Sequence, residues 1–244
     1  MKLFKAKALF IFLLVAFPFP FYCHALTLSD LRTELRRILK DSDSTRRQWT
    51  DAQLLSYLNE AQRDIVNATW LVQESTSRVL DQLTTYYTLT NDVIAVIGIE
   101  FKNSQGNVID LDETTYDKLQ ADNPNWRNFN GAPVEYFIDQ ATTTNQLIVS
   151  YIPIPTRSST GTVTVRYASQ VDDLSADSDV PFNGRRELYL HHTTLVYHAA
   201  MKILGIMKKF NEALFYGQLY QNSVMFIKDK ANAKPNYRPG FRAQ

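Results

Sequence analysis

The chain of 244 residues has one cysteine, eight glycines and almost no imbalance of charge, and each shortage excludes something. Cys23 lies in an apolar N-terminal segment, so the rest of the chain can hold neither a disulfide framework nor a cysteine metal site. Stability then has to come from packing or assembly. Glycine is too scarce for a phosphate-cradling loop, and neither GxGxxG nor GxxxxGK[ST] occurs, which argues against nucleotide enzymes. Lys plus Arg number 26 against 25 Asp plus Glu, so the basic excess behind sequence-independent nucleic-acid binding is missing. HExxH and GxSxG are missing as well, and the histidines beyond His24 fall together at His191, His192 and His198, which leaves hydrolase chemistry without support.

What is present is apolar: 45% of residues are hydrophobic and 12% aromatic, ample for a packed core. Residues 1–25, MKLFKAKALFIFLLVAFPFPFYCHA, have three lysines, a short apolar run, two prolines and a small-residue ending, the layout of a secretory signal peptide. The other reading is an N-terminal extension, with the true start near Leu26; no methionine falls between Met1 and Met201 to decide it. Without these residues 23 basic side chains face 25 acidic ones, a net charge of −2.

Residues 27–40 place Leu28, Leu31, Leu35, Ile38 and Leu39 on one helical face, with the arginines and Glu34 opposite. After the polar turn DSDSTRRQ, Thr50 and Gln53 form a capping box and Trp49 is set to staple onto Leu54. The second helix carries Leu54, Leu58, Ala61, Ile65, Ala68 and Val72 inward and Asn59, Glu60, Gln62, Arg63 and Asp64 outward. Neither helix can bury its stripe alone, so further helices must cover it.

The stretches 84–90, 93–101, 133–138, 146–152 and 162–168 are rich in β-branched and aromatic residues between turn-forming clusters, which predicts short antiparallel strands. A small helix over 112–121 interrupts them. The pattern is that of a β-sandwich or barrel inserted into an α-helical domain. An acidic loop, VDDLSADSDVPFN at 171–183, leads back to helices over 184–204 and 208–231, broken near Gly205.

Few residues offer chemistry. Glu187, His191 and His198 share a helical face as a metal site would require, although such stripes are usually packing. Asp172, Asp173, Asp177 and Asp179 could gather around calcium, but their spacing does not match an EF-hand and a solvated hairpin is the plainer reading. Trp126, Tyr136 and Tyr151 could stack on a sugar, against the commoner role of such aromatics in a core. The sequon Asn67-Ala68-Thr69 falls mid-helix and is discounted. No cofactor is expected.

In order, TLSDLRTEL, WTDAQLLSYLNEAQRDI, YYTLTND with VIAVIGIEF, LDETTYDKLQADNPNWRNFNGAP, YIPIP, VTVRYAS with LSADSDVPF, and ELYLHHTTLVYHAAMKIL resemble the head-to-tail adaptor (connector) proteins of tailed bacteriophages. The resemblance covers residues 27 to about 230 and rests on the order of segments rather than on one motif. It implies an α+β fold in which N-terminal helices (26–80) and C-terminal helices (171–233) form a bundle with an inserted small antiparallel β-domain (81–170). It also implies a structural virion protein without catalytic residues, assembled in the host cytoplasm as a ring of usually twelve copies in the virion neck. Its partners would be its own copies, the portal, and tail or nozzle proteins, with DNA only as cargo in the channel and no membrane in the mature form. By the same analogy the extended basic tail 234–244 is an arm reaching the portal, with Lys234, Tyr237, Arg238, Phe241 and Arg242 as contact candidates. A working signal peptide would instead make the chain an exported periplasmic or secreted binding module with an aromatic β-domain.

Overall fold

The computed structural model describes residues 25–80, 86–122, 124–140, 147–153 and 161–232. Leu28, Leu31, Leu35 and Leu39 recur every three or four residues, and all are buried along helix α1 (Leu28–Leu39). Thr27 starts it: its hydroxyl accepts the Asp30 N–H at 3.3 Å, and the Asp30 carboxylate accepts the Thr27 N–H at 2.9 Å. Helix α2 (Asp51–Thr69) opens on the expected box, with the Thr50 hydroxyl accepting from Gln53 N–H at 3.2 Å and Gln53 Oε1 from Thr50 N–H at 2.9 Å. Trp49 packs edge-on to Tyr57, with ring centroids 6.1 Å apart.

The outward and inward faces need correction. Left-handed Trp70 ends α2 before Val72, Ala68 is exposed, and Val66 and Thr69 are buried in its place. Arg36, Asn59 and Gln62, expected in water, are buried because each finds polar partners inside.

Eight strands follow among the described residues: β1 (Gln73–Leu80), β2 (Tyr86–Thr88), β3 (Val93–Asn103), β4 (Val108–Asp110), β5 (Asp112–Glu113), β6 (Glu135–Gln140), β7 (Leu147–Ile152) and β8 (Gly161–Ser169). They form two sheets, ordered β1-β8-β3-β4 and β2-β7-β6-β5. All pairings are antiparallel except β5 with β6, which is parallel and departs from the expected all-antiparallel set. Ile99, Phe101, Val163 and Val165 of the first sheet share a core with Leu89, Tyr136, Val149 and Tyr151 on the side of the second, which makes a sandwich. Strands β1, β4 and β5 are additions to the expected set. Five of the eight β1 side chains are exposed, so QESTSRVL lacks the apolar alternation that marks a strand. Helix α3 (Tyr116–Asp122) begins four residues later than expected because Asp112 and Glu113 pair with β6. With Trp126 it covers Phe137 and Ile152 on the far side of the second sheet.

The return passes through 3-10 turns at Phe182–Gly184 and Arg186–His191 into α4 (His192–Ile206) and α5 (Phe210–Asn232). The break falls at left-handed Lys208 rather than at Gly205, which stays helical. Helices α1, α2, α4 and α5 share one apolar core, and the sheets hold another. The mixed α+β class is therefore as expected.

Candidate assembly surface

Helix α5 is apolar on more than one side. Ala213 and Ile227 are buried, and Tyr216, Tyr220 and Val224 pack against the helical core. On the solvent side stand Phe210 (68% exposed), Leu214 (65%), Phe215 (54%), Met225 (58%) and Phe226 (54%). At about 100° per residue, Leu214 and Met225 form one stripe and Phe215 and Phe226 a second, about 100° away, with Gln218 and Asn222 between them. Within each stripe the two side chains lie about three helical turns apart. Scattered exposed leucines need no explanation, but a set of large apolar side chains along one helix marks a contact surface. Leu190, in the 3-10 turn before α4, and Ile206, the last residue of α4, are exposed as well.

The orientation of that surface is fixed from beneath. His198 lies edge-on to Tyr220 with centroids 4.8 Å apart, and its Nε2 is 3.0 Å from Asp64 Oδ2. Lys202 Nζ reaches Glu60 at 2.6 Å and Asp64 at 3.5 Å. This cluster joins α2, α4 and α5. Burial, with help from the Lys202 charge, pushes the His198 pKa down against the pull of Asp64 and Glu60, so the neutral ring donates from Nε2. His192, fully buried at the start of α4, accepts the Leu26 N–H on Nδ1 at 3.2 Å, and burial lowers its pKa to about 4.

The acidic return loop is stitched to the helices. Asn59 exchanges two hydrogen bonds with Leu174, and Gln62 bonds the Asp172 carbonyl and the Phe182 N–H. Arg63 pairs with Asp173 at 2.6 Å, and Arg32 pairs with Asp177. Asp179 accepts the N–H groups of Ala176 and Ser175 at 2.8 Å each, which holds its carboxyl below the usual range. Asp173 and Asp177 therefore face arginines and Asp179 its own backbone, while Asp172 is tied through its main chain to Gln62 and Asn183.

The histidine stripe does not assemble either. Glu187 is exposed on a 3-10 turn, His191 is buried beside the Phe226 ring at 6.2 Å, and His198 points to Asp64. The change from 3-10 to α geometry at His192 breaks the shared face. Among the described residues no group of three or more His, Cys, Asp or Glu is placed to hold a metal ion.

The aromatic set divides in the same way. Tyr136 and Tyr151 are buried in the sandwich, where desolvation raises both phenol pKa values, that of Tyr136 to about 12. Trp126 and Tyr116 border a cleft of about 490 Å³, but the Arg127 guanidinium lies 4.6 Å from the Trp126 ring centroid and 5.3 Å from that of Tyr116. It occupies ring surface that a sugar would need. The portal candidates Lys234, Tyr237, Arg238, Phe241 and Arg242 lie outside the described residues.

Sequence reasoning missed Arg36, Asn59 and Gln62. The one available signal was weak: Asn in a helix interior is an indifferent helix former whose amide is better used as a hydrogen-bonding group.

Exposed apolar rings on a rigidly seated helix, with buried polar groups serving to hold loops and helices together, define an α+β protein whose surface chemistry is that of docking. Residues 26–239 match the SU10 adaptor protein family, and the chain belongs to it: it is a phage adaptor protein. No curated protein matches the chain. No helix among the described residues is long and apolar enough to cross a membrane.

Proposed function

We propose that this adaptor is a ring-forming virion protein in the neck, joining the portal to the tail and continuing the DNA channel, with twelve copies as the expected number. The observation that supports the reading is the outer face of α5, where Phe210, Leu214, Phe215, Met225 and Phe226 stand exposed on a helix whose inner face is fully engaged. In this reading the four long helices act as a bundle, residues 81–170 act as an inserted β-domain, and the α5 stripes meet neighbouring copies. Each interface buries more than about 1,000 Å². The arm from Lys234 to Gln244 lies on the portal, its arginines facing carboxylates.

Electron microscopy of the purified chain, together with a Leu214→Glu/Phe215→Glu variant, tests this. The wild type gives end-on rings, and the variant stays monomeric with an unchanged circular dichroism spectrum. Solitary wild-type particles at high concentration, with no association with portal rings, would overturn it.

A second reading rests on the signal-like layout of residues 1–25: export as a binding module. Mass spectrometry of the mature N-terminus separates the two, since cleavage after Ala25 is the signature of export.

A further inference from the structure

The sheet β1-β8-β3-β4 ends in two edges with no strand beyond them among the described residues, and those edges match each other. Three rows of directly paired residues cross the sheet: Ser77–Thr164–Glu100–Asp110, Arg78–Val163–Phe101–Ile109 and Val79–Thr162–Lys102–Val108. Each row starts on β1 and ends on β4. The third begins and ends with valine, 61% and 58% exposed, and Ile109 closing the second is 41% exposed. Phe101 and Val163 are buried in the sandwich, so the valine row, one residue along, lies on the opposite face.

Chain direction agrees. Strand β1 is antiparallel to β8, β8 to β3 and β3 to β4, so β4 of one copy laid beside β1 of another, with the sheet continued, meets it antiparallel.

Hydrogen-bond phase agrees as well. The Ser169 N–H donates to the Val72 carbonyl at 2.9 Å, so along β1 the peptide groups of Glu74, Thr76, Arg78 and Leu80 face β8 while those of Ser77 and Val79 face outward. On the other edge the Asn103 N–H donates to the Asn107 carbonyl at 3.0 Å and the Leu111 N–H to the Ile99 carbonyl at 2.8 Å. There Ile109 faces β3, and Val108 and Asp110 present their peptide groups outward. Arg185 covers the start of the β1 edge by donating to the Gln73 carbonyl at 2.8 Å, but the part from Ser75 to Leu80 has neither proline nor lysine to guard it against pairing.

We propose that the first sheet continues from subunit to subunit: β1 of one copy pairs with β4 of the next, with Val79 opposite Val108, Arg78 opposite Ile109 and Ser77 opposite Asp110. Val79 with Val108, and Ser77 with Asp110, then exchange both peptide hydrogen bonds. The contact joins unlike surfaces, so it propagates around a closed ring instead of stopping at a dimer. It rests on the ring reading above and adds a second seam to that of α5.

The test is a full-length Cys23→Ser/Val79→Cys/Val108→Cys variant under mild oxidation. Within one copy the two positions are three strand spacings apart, about 14 Å, beyond the roughly 7 Å that a disulfide can span between Cα atoms. A cross-link must therefore join two copies. The expected result is a reducible covalent ladder rising to the ring number on a non-reducing gel, with each single-cysteine variant stopping at dimer. Rings in micrographs without a ladder overturn the strand pairing and leave the ring reading standing; a wild type that forms no rings removes both. Val79→Pro gives an independent check, because it deletes an outward-facing N–H without removing a side-chain hydrogen bond such as the one Ser77 makes to Thr164 at 2.8 Å. Native circular dichroism with loss of rings supports the pairing, and rings as abundant as in wild type overturn it.

Discussion

Asn59 and Leu174 hold each other as two paired strand residues would: Asn59 Nδ2 donates to the Leu174 carbonyl at 3.0 Å, and the Leu174 N–H donates to Asn59 Oδ1 at 2.8 Å. One helical turn on, Gln62 repeats the device, donating to the Asp172 carbonyl at 2.8 Å and accepting from the Phe182 N–H at 2.9 Å. Two side-chain amides on α2 thus supply hydrogen bonds to a loop that is exposed for most of its length and buried at Leu174 and Phe182. Asn59→Leu leaves both Leu174 groups buried and unpaired, and the expected loss is about 3 kcal/mol of unfolding free energy in urea titrations. A loss below about 0.5 kcal/mol would show that the loop finds water instead.

Arg36 is 6% exposed, with Nη1 2.6 Å from Asp41 Oδ2 and Nη2 2.7 Å from Asp51 Oδ1 and 3.0 Å from the Trp49 carbonyl. Replacing it with methionine preserves bulk but strands the buried Asp41 charge. The expected destabilisation is about 3 kcal/mol, read as a fall in melting temperature. The double change Arg36→Met/Asp41→Asn should recover part of it, because the stranded charge is then gone.

His192 makes stability depend on pH. Its pKa is near 6.5 when unfolded and about 4 when buried, so on acidification the unfolded chain takes up the proton first and stability falls between those values. The full effect is about 3 kcal/mol, all of it present above pH 6.5 and lost by about pH 4. His192→Asn, which keeps an acceptor for the Leu26 N–H, should flatten this part of the profile in chemical denaturation at a series of pH values. His198 is shifted in the same direction and leaves a residual slope.

Gly161 has no room for a side chain: a Cβ there would lie 2.3 Å from the Lys102 carbonyl oxygen and 2.6 Å from the Phe101 ring. Gly161→Ala must push the start of β8 away from the end of β3, the two inner strands of the first sheet. A loss of about 2 kcal/mol is expected, with faster amide exchange in both strands.

The helical half was the more legible in the sequence because its signals are local. The Thr50–Gln53 box and the leucine spacing of α1 are dictated within a few residues, and the structure places them as read. Strand β1 was not legible, since a polar stretch becomes a strand only by pairing with β8, nearly ninety residues away in the chain (Ser77 with Thr164). The buried amides were hidden for the same reason: what makes Asn59 an inner residue is Leu174, not its neighbours on α2. Glu187, His191 and His198 misled in the opposite sense, since helical arithmetic assumed one continuous helix where the chain changes pitch at His192.

The chain leaves the helices and comes back to them side by side. Val72 and Ser169 are one hydrogen bond apart, and Gln73 lies opposite Ala168 at the base of the same ladder. The start of β3 joins them there, with Val93 opposite Ser169 and the Asp92 carbonyl accepting the Gln170 N–H at 2.7 Å. The ends of the excursion are thus already closed, so it can lengthen, shrink or be exchanged over generations while the helical frame keeps its span.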